Sequence, residues 1–416
     1  MLQFVELTPK EYNLFINSKF KQYTQSLEHY NSRKNSGKRV YLLGVKSDEG
    51  TVLAAGLFTS AKVLKFWNYV YSHRGPVMDY DNIKLMEFYF LNIRKYFKKR
   101  KSIFILIDPY VIQSVRNHKG EIEFEYENSK WMACISRLGF KHSGFSTGYS
   151  DLSQARWLSV LNLDVKSEEM ILKNMEYNTS HSIKKALEMG VKVRDLSLEE
   201  IDKFYKLYRK AEVKHGFSLF NQNYFVDFLK SYPTMTFLKM AYIDLRENKK
   251  ILKEKLTHIE QEINTLKSLS PRPMSKKRKN KLKELEIILN KVNRDFDEAN
   301  LLQNKYGNYL ELASAIFAKN NNELVYLYSG SDSEFNKFMG NYVLQWEMIK
   351  FAKANKLARY NFYGITGVFT KEAQDYGVLK FKKGFGGYVE ELIGDFICIT
   401  NPFAYYIYKL KNCIKR

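Results

Sequence analysis

The segment between Arg246 and Gln303 constrains this chain most. Apolar residues stand at Leu252, Leu256, Ile259, Ile263 and Leu266, a 4-3-4-3 spacing, and again at Leu282, Leu285, Leu289, Val292, Phe296 and Ala299, spaced 3-4-3-4-3. That is a heptad seam written twice. Between the runs lies the stretch from Ser268 to Ser275, which contains Pro271 and Pro273. Prolines lack the amide that a continuing helix needs, so the chain should reverse there. The spacing predicts an antiparallel helical hairpin over 246–303, with arms of roughly 20 residues and about 30 Å.

Charge is unevenly placed on this hairpin. It holds fifteen Lys+Arg against nine Asp+Glu, yet seven of the cations (Arg272, Lys276, Lys277, Arg278, Lys279, Lys281 and Lys283) cluster at 271–283 with no acid among them. A Lys-rich solvated surface explains the near-neutral shafts; the concentrated tip suits a phosphate backbone at least as well. The whole chain, 416 residues with a formal net charge of +22, carries the same hint of an anionic partner. With 45% hydrophobic and 15% aromatic residues and only 7 Pro, it is too apolar to be a disordered basic protein.

Around the hairpin the pattern is mixed. Strand-like runs are Arg39 to Val45, Val52 to Phe58, Ile103 to Ile107, Trp157 to Leu163, Leu310 to Ala318, Leu324 to Tyr328 and Arg359 to Tyr363. Amphipathic helices are expected over Pro9 to Asn17, Asn82 to Lys98, Ser167 to Asn174, His181 to Met189, Leu198 to Lys214 and Tyr342 to Ala354. Thr8 with Glu11 and Ser197 with Glu200 have capping-box spacing. Both halves show a short helix, strands, then a longer helix, which predicts two similar α+β units with the hairpin inserted in the second.

The chemistry is defined partly by what is missing. Cys134, Cys398 and Cys413 have neither CxxC spacing nor a nearby His, which argues against a disulfide framework or zinc site and fits a reducing cytoplasm. No signal peptide is read at the N-terminus, and no apolar run approaches a membrane span. The phosphate-loop, dinucleotide, zinc-protease and Ser-hydrolase motifs are all absent. No metal or cofactor is expected.

Three stretches carry candidate site residues. In Tyr71 to Asp79 and Ile107 to Tyr110, Arg74 and Asp108 could meet a substrate or could be a structural ion pair. In Arg359 to Gly367, Gly364 and Gly367 open a strand end for close approach of a ligand. In Tyr376 to Gly387, read as a strand, Lys380 and Lys382 share one side and Phe381 and Lys383 the other. One lysine then faces inward if the strand is central. A buried cation needs an anion, so Lys382 or Lys383 is the candidate for stabilising developing negative charge, against an edge strand with solvated lysines.

These stretches, together with Gly190 to Arg194, the heptad hairpin and Val378 to Gly384, occur in an order that resembles the Fem (FemABX) family of peptidoglycan interpeptide-bridge aminoacyltransferases. The likeness covers essentially the whole chain and is nearest the FemA/FemB-like branch, with its accessory lysostaphin-immunity members. It implies an α+β fold of two GNAT-like (acetyltransferase-like) subdomains with an inserted antiparallel coiled-coil arm. The expected divisions are 1–150, completed by 395–416, as the first subdomain; 151–245 and 304–394 as the second; and 246–303 as the arm.

The resemblance also implies an activity. An amino acid, glycyl or seryl, would pass from aminoacyl-tRNA to the bridge of a lipid-linked peptidoglycan precursor, with no cofactor. Peripheral contact with the cytoplasmic face of the membrane and oligomers with other Fem proteins are implied as well. By family position, Phe381 and Lys382 line the transfer site, and Arg33 and Lys34 meet substrate phosphate. Tyr328, Phe362 and Tyr363 form an aromatic wall; Arg74, Asp108, Tyr110, Lys184, Lys185 and Lys383 are further candidate substrate contacts that no family position assigns. The cationic tip would meet tRNA. One departure stands out: where the family carries Arg-Arg-Asn or Arg-x-Asn, this chain reads Thr179, Ser180, His181 and Ser182, with Lys184 and Lys185 one turn on. Lysine cannot reproduce the bidentate fork of arginine. A CoA-dependent acyltransferase and a non-catalytic tRNA-binding relative are the competing readings.

Overall fold

The computed structural model describes residues 1–64, 67–150, 152–164, 167–215, 220–269 and 274–414. Their strands form two sheets, of seven and nine strands. Each sheet is built on the same run of elements. In the first, the strand Gln3–Glu6 leads through helices Pro9–Asn17 and Leu27–Asn35 to strands Val40–Lys46, Val52–Leu64 and Trp67–Ser72; helix Ile83–Lys99 then crosses to strand Ser102–Ile107. In the second, Val191–Asp195 leads through helices Ile201–His215 and Gln222–Ser231 to Thr236–Asp244, Tyr309–Lys319 and Glu323–Ser331, and helix Gly340–Ala354 crosses to Arg359–Ile365.

In both runs the first four strands pair antiparallel in order, and the fourth pairs parallel with the fifth. A parallel pair requires a crossover, and the apolar face of the crossing helix covers the sheet. Leu85, Met86, Tyr89, Phe90, Ile93 and Phe97 fill this role in the first unit, as do Val343, Leu344, Met348, Ile349 and Ala352 in the second. The two units thus match each other strand for strand, and Gln3–Glu6, Trp67–Ser72 and Thr236–Asp244 are strands beyond those expected from the sequence.

Strands from outside these two runs extend both sheets. Beside Ser102–Ile107 lies Phe396–Ile399 from the end of the chain, and beside Arg359–Ile365 lies Trp157–Asn162, which precedes the second unit. Ile112–Arg116 and Ile122–Glu125 join the nine-stranded sheet through Tyr388–Leu392. The span 1–150 therefore does not map onto one sheet, because pairing follows edges left open in space rather than order in the chain.

Helices Leu245–Ser268 and Lys276–Tyr306 leave the second unit between its second and third strands. Leu252, Ile259 and Ile263 of one pack on Leu282, Leu285, Val292 and Ala299 of the other. The bond from Lys249 to Asn300 and the ion pair of Lys267 with Glu286 run between positions that descend one helix and ascend the other, so the pair is antiparallel. The reversal expected at Pro271 and Pro273, and the tip residue Arg272, lie outside the described residues. Capping boxes form at Thr8 with Glu11 and at Ser197 with Glu200.

One local expectation is overturned. Tyr376–Lys383 is a helix, not a strand. The alternating Lys-Phe-Lys reads with period two, but the buried positions are Leu379 and Lys382, three apart, and Asp375 stands at the N-cap. The glycines 384, 386 and 387 end the helix rather than extend a strand.

Candidate active site

The parallel strands Glu323–Ser331 and Arg359–Ile365 hold together over only three pairs, Glu323 with Arg359, Leu324 with Tyr360 and Val325 with Asn361. Beyond Val325, irregularities on both flanks turn them apart: one opposite Ile316 and Phe317, the other between Asn361 and Tyr363. Bulges bend a strand and re-aim its side chains. Tyr363 consequently sits at φ 67°, a left-handed conformation unusual for a bulky residue, with its amide donating to Asn361 Oδ1 at 2.8 Å. Met339, at the start of the crossing helix, is also left-handed at φ 53°. Strain of this kind gathers at functional sites.

The split opens a cavity of about 960 Å³, walled by Tyr326, Tyr328, Phe362, Tyr363, Tyr342 and Phe381, with Lys382 among its lining. The first unit differs at the same place. Trp67–Ser72 and Ser102–Ile107 stay paired through Ser72 and Ile107, and just beyond them Arg74 and Asp108 meet.

Lys382 is the distinctive group. Its side chain reaches from the short helix to the opened strand, where Nζ donates to the carbonyl oxygens of Gly364 at 2.6 Å and Tyr363 at 3.2 Å. The residue is only 5% exposed. Burial pulls its pKa down to about 7, opposed by the nearby negative charge of Asp375. An amine so poised changes protonation near neutral pH, which suits proton exchange or stabilisation of an oxyanion. Phe381 beside it packs edge-on against Tyr342 and Phe385.

Asp375 organises the turn that feeds this lysine. Its carboxylate accepts from the amide of Thr366 at 2.8 Å, the hydroxyl of Thr366 at 2.6 Å and the phenol of Tyr149 at 3.3 Å. Gln154, which also lines the cavity, accepts from the phenol of Tyr363. Sequence reasoning missed Asp375, Thr366, Tyr149 and Gln154, since their partners lie 9 to 226 residues away. Only the Asp before the Tyr376 helix is a local signal.

The remaining expected residues fall in different places. Tyr328, Phe362, Tyr363, Phe381 and Lys382 meet at the cavity. Tyr328 shares a 2.8 Å hydrogen bond with Tyr224. Arg33 lies on helix Leu27–Asn35, where Nε donates to Nε2 of His29 at 3.3 Å, while Nδ1 of His29 lies 2.6 Å from the Tyr232 phenol. Lys34 lies over the Tyr30 ring, 5.6 Å from its centroid. Neither Arg33 nor Lys34 lines the cavity.

Arg74 and Asp108 are buried, with Nη1 and Oδ2 3.5 Å apart and the Arg74 amide donating to Asp108 Oδ1 at 2.6 Å. Burial raises the Asp108 pKa to about 7 against the pull of Arg74. Tyr110 links this pair to a second node: its ring centroid lies 5.7 Å from the Arg74 guanidinium, and its phenol accepts from Arg359 at 2.5 Å and donates to Glu390 at 3.2 Å. Lys383, expected as an alternative to Lys382, instead pairs with Glu176 at 3.3 Å and is half-exposed. Lys184 and Lys185 are exposed on helix Tyr177–Glu188, whose first turn abuts Gly384 through Thr179.

At the arm tip, Lys276, Lys277, Lys279, Lys281 and Lys283 are exposed, Lys281 near Glu262 and Glu284 at 3.9 Å. Arg278 turns back to the Leu269 carbonyl at 2.7 Å and so closes the preceding helix end. Among the described residues there is no group of three or more His, Cys, Asp or Glu that could hold a metal ion.

Comparison with known proteins agrees with this architecture. The chain is 36% identical over 416 residues to aminoacyltransferase FemA of Staphylococcus aureus (strain bovine RF122 / ET3-1), covering all of this chain and 99% of FemA. The FemA of strain MW2 matches at the same identity and coverage. The crystal structure of FemX superposes with a TM-score of 0.80 at 23% identity, over 97% of this chain and 99% of FemX, which shows a shared fold. The FemAB family model matches residues 7–415, and the chain belongs to the FemAB family.

Proposed function

We propose that the protein is an aminoacyltransferase that moves an amino acid from aminoacyl-tRNA onto the interpeptide bridge of a lipid-linked peptidoglycan precursor at the cytoplasmic face of the membrane. The observation that carries the reading is the buried Lys382 at the mouth of the split strands, within a chain that matches a named aminoacyltransferase from end to end.

An aminoacyl ester is already activated, so its conversion to an amide needs orientation and charge stabilisation more than an energy source. The terminal amine of the bridge attacks the ester carbonyl and a C–N bond forms. The tetrahedral oxyanion then collapses, the C–O bond to the ribose breaks, and the proton lost by the amine ends on the ribose oxygen. Lys382, held by two carbonyls and with a pKa near 7, is suited to stabilise the oxyanion as an ammonium and to relay that proton. The aromatic wall gives the reacting groups a dry enclosure, and its phenols stay protonated because burial raises their pKa values, that of Tyr363 to about 12.

The exposed lysines at the tip of the helical pair support a contact with the tRNA backbone. Serine as the donor amino acid, with resistance to glycyl-glycine endopeptidase as its consequence, is the form of the activity we favour. Purified protein given seryl- or glycyl-tRNA and a bridge-bearing lipid-linked acceptor should lengthen the bridge by the mass of the donor residue. Failure with both donors, while FemA works in parallel, rejects the proposal.

A further inference from the structure

Among the described side chains of helix Pro402–Ile414, the buried ones lie on one face. Ala404 and Tyr408 are buried against Ile103, Phe104 and Leu106, and the Phe104 ring meets Tyr405 at 5.5 Å and Tyr408 at 5.4 Å. Asn401 fixes its start by accepting the Ala404 amide at 3.1 Å. The opposite face is apolar too. Phe403, Tyr406, Ile407 and Leu410 follow i, i+3, i+4, i+7 spacing, and Phe403 is 71% exposed, Tyr406 63% and Leu410 46%. At about 100° per residue these four make one outward stripe, with Lys409 on one flank and Lys411 on the other. From Phe396 to Arg416 the sequence contains no Asp or Glu.

We propose that this outward face is a docking surface for an anionic lipid bilayer, with the helix lying in the headgroup plane. A stripe of Phe, Tyr, Ile and Leu, edged by lysines on both sides and free of acids, matches an interface that is apolar below and negatively charged above. The phenol of Tyr406 suits the boundary between the two. Among the described residues no helix is long and apolar enough to cross a membrane, so the contact is peripheral. The inference rests on the proposed action at the membrane face and deepens it by naming the surface that makes the contact; lipid binding is measured without donor or acceptor, so its failure is distinguishable from failure of the transfer reaction.

The test is sedimentation of the full chain with vesicles of phosphatidylglycerol and phosphatidylcholine, compared with phosphatidylcholine alone. The wild type should bind the anionic vesicles at least ten-fold more tightly. The triple variant Phe403→Ser, Tyr406→Ser, Leu410→Ser and the double variant Lys409→Glu, Lys411→Glu should each lose most of that binding. Leu14→Ser, at an exposed leucine on the first helix, should bind as wild type. Unchanged circular dichroism and melting temperature establish that the variants fold; should the triple variant fail to fold, the charge pair and Tyr406→Ser alone decide. Equal binding to both vesicle types, or full binding by the charge-reversed protein, overturns the proposal. So does a wild-type dimer that the triple variant abolishes, which assigns the face to a second copy of the chain.

Discussion

The ammonium nitrogen of Lys382 lies 2.6 Å from the carbonyl oxygen of Gly364. This bond ties the short helix that carries the lysine to the strand that the bulge at Asn361 and Tyr363 has turned away from its neighbour. The same carbonyl also lies 3.4 Å from the phenol of Tyr149, so the opened strand end is held from two directions.

Lys382→Met should reduce transfer by about 10²-fold or more while leaving the fold intact, since it removes the group proposed to stabilise the oxyanion. Lys382→Arg should not restore the rate, because a planar guanidinium does not fit a site built for one ammonium between two carbonyls. Single-turnover transfer from aminoacyl-tRNA, with circular dichroism as the folding control, checks both.

Lys382 also gives stability a pH dependence. Its folded pKa of about 7 lies below the ordinary lysine value of 10.5, so between those limits the unfolded chain binds more protons. Stability from this group therefore rises with pH across that window and is flat below it. The full swing is on the order of 5 kcal/mol. Denaturant unfolding at a series of pH values should show this rise in the wild type and a shallower one in Lys382→Met.

Asp375→Asn should act through the lysine as well as on the fold. The change weakens the bonds to the amide and hydroxyl of Thr366, at a cost of about 1–3 kcal/mol. It also removes the charge that opposes burial at Lys382, so the lysine pKa should fall further. The pH profile of transfer should shift toward acid, an effect that loss of stability alone does not produce.

Arg74→Ala should destabilise the protein by about 3–5 kcal/mol, because it leaves Asp108 buried without its partner. Where the variant still folds at low temperature, KM for both substrates should stay near the wild-type value. A selective rise in KM with unchanged melting temperature would instead give Arg74 a substrate contact.

Replacing Lys276, Lys277, Lys279 and Lys283 together by Glu should weaken tRNA binding. It should also flatten the dependence of log Kd on log salt by about 0.7–0.9 for each phosphate that the tip no longer engages. Transfer from a minimal aminoacyl ester lacking the tRNA body should be unaffected. Filter binding over a salt series distinguishes this from a general loss of activity.

Much of this architecture is legible in the sequence where the signal is local. Heptad spacing marks the helical pair, since Leu252, Ile259, Leu285 and Val292 pack together by virtue of period alone. The capping boxes at Thr8 and Ser197 mark helix starts to the residue, and the repeated order of helices and strands marks two related units. The type of residue at position 382 also stands out, because a lysine among Phe and Gly needs an explanation.

What the sequence did not determine was the shape around that lysine. Period two and a two-turn helix are indistinguishable over Lys380 to Lys383, and only packing of Leu379 and Lys382 on the sheet selects the helix. The crossing of Ile112–Arg116 and Ile122–Glu125, which lie within 1–150, to the nine-stranded sheet depends on which sheet edges are open after the rest has folded. Whether a basic residue ends in an ion pair, as Arg74 and Lys383 do, or at a cavity beside two carbonyls, as Lys382 does, is decided by residues far away in sequence. Burial and electrostatics are sums over neighbours in space, and those neighbours exist only once the tertiary structure has formed.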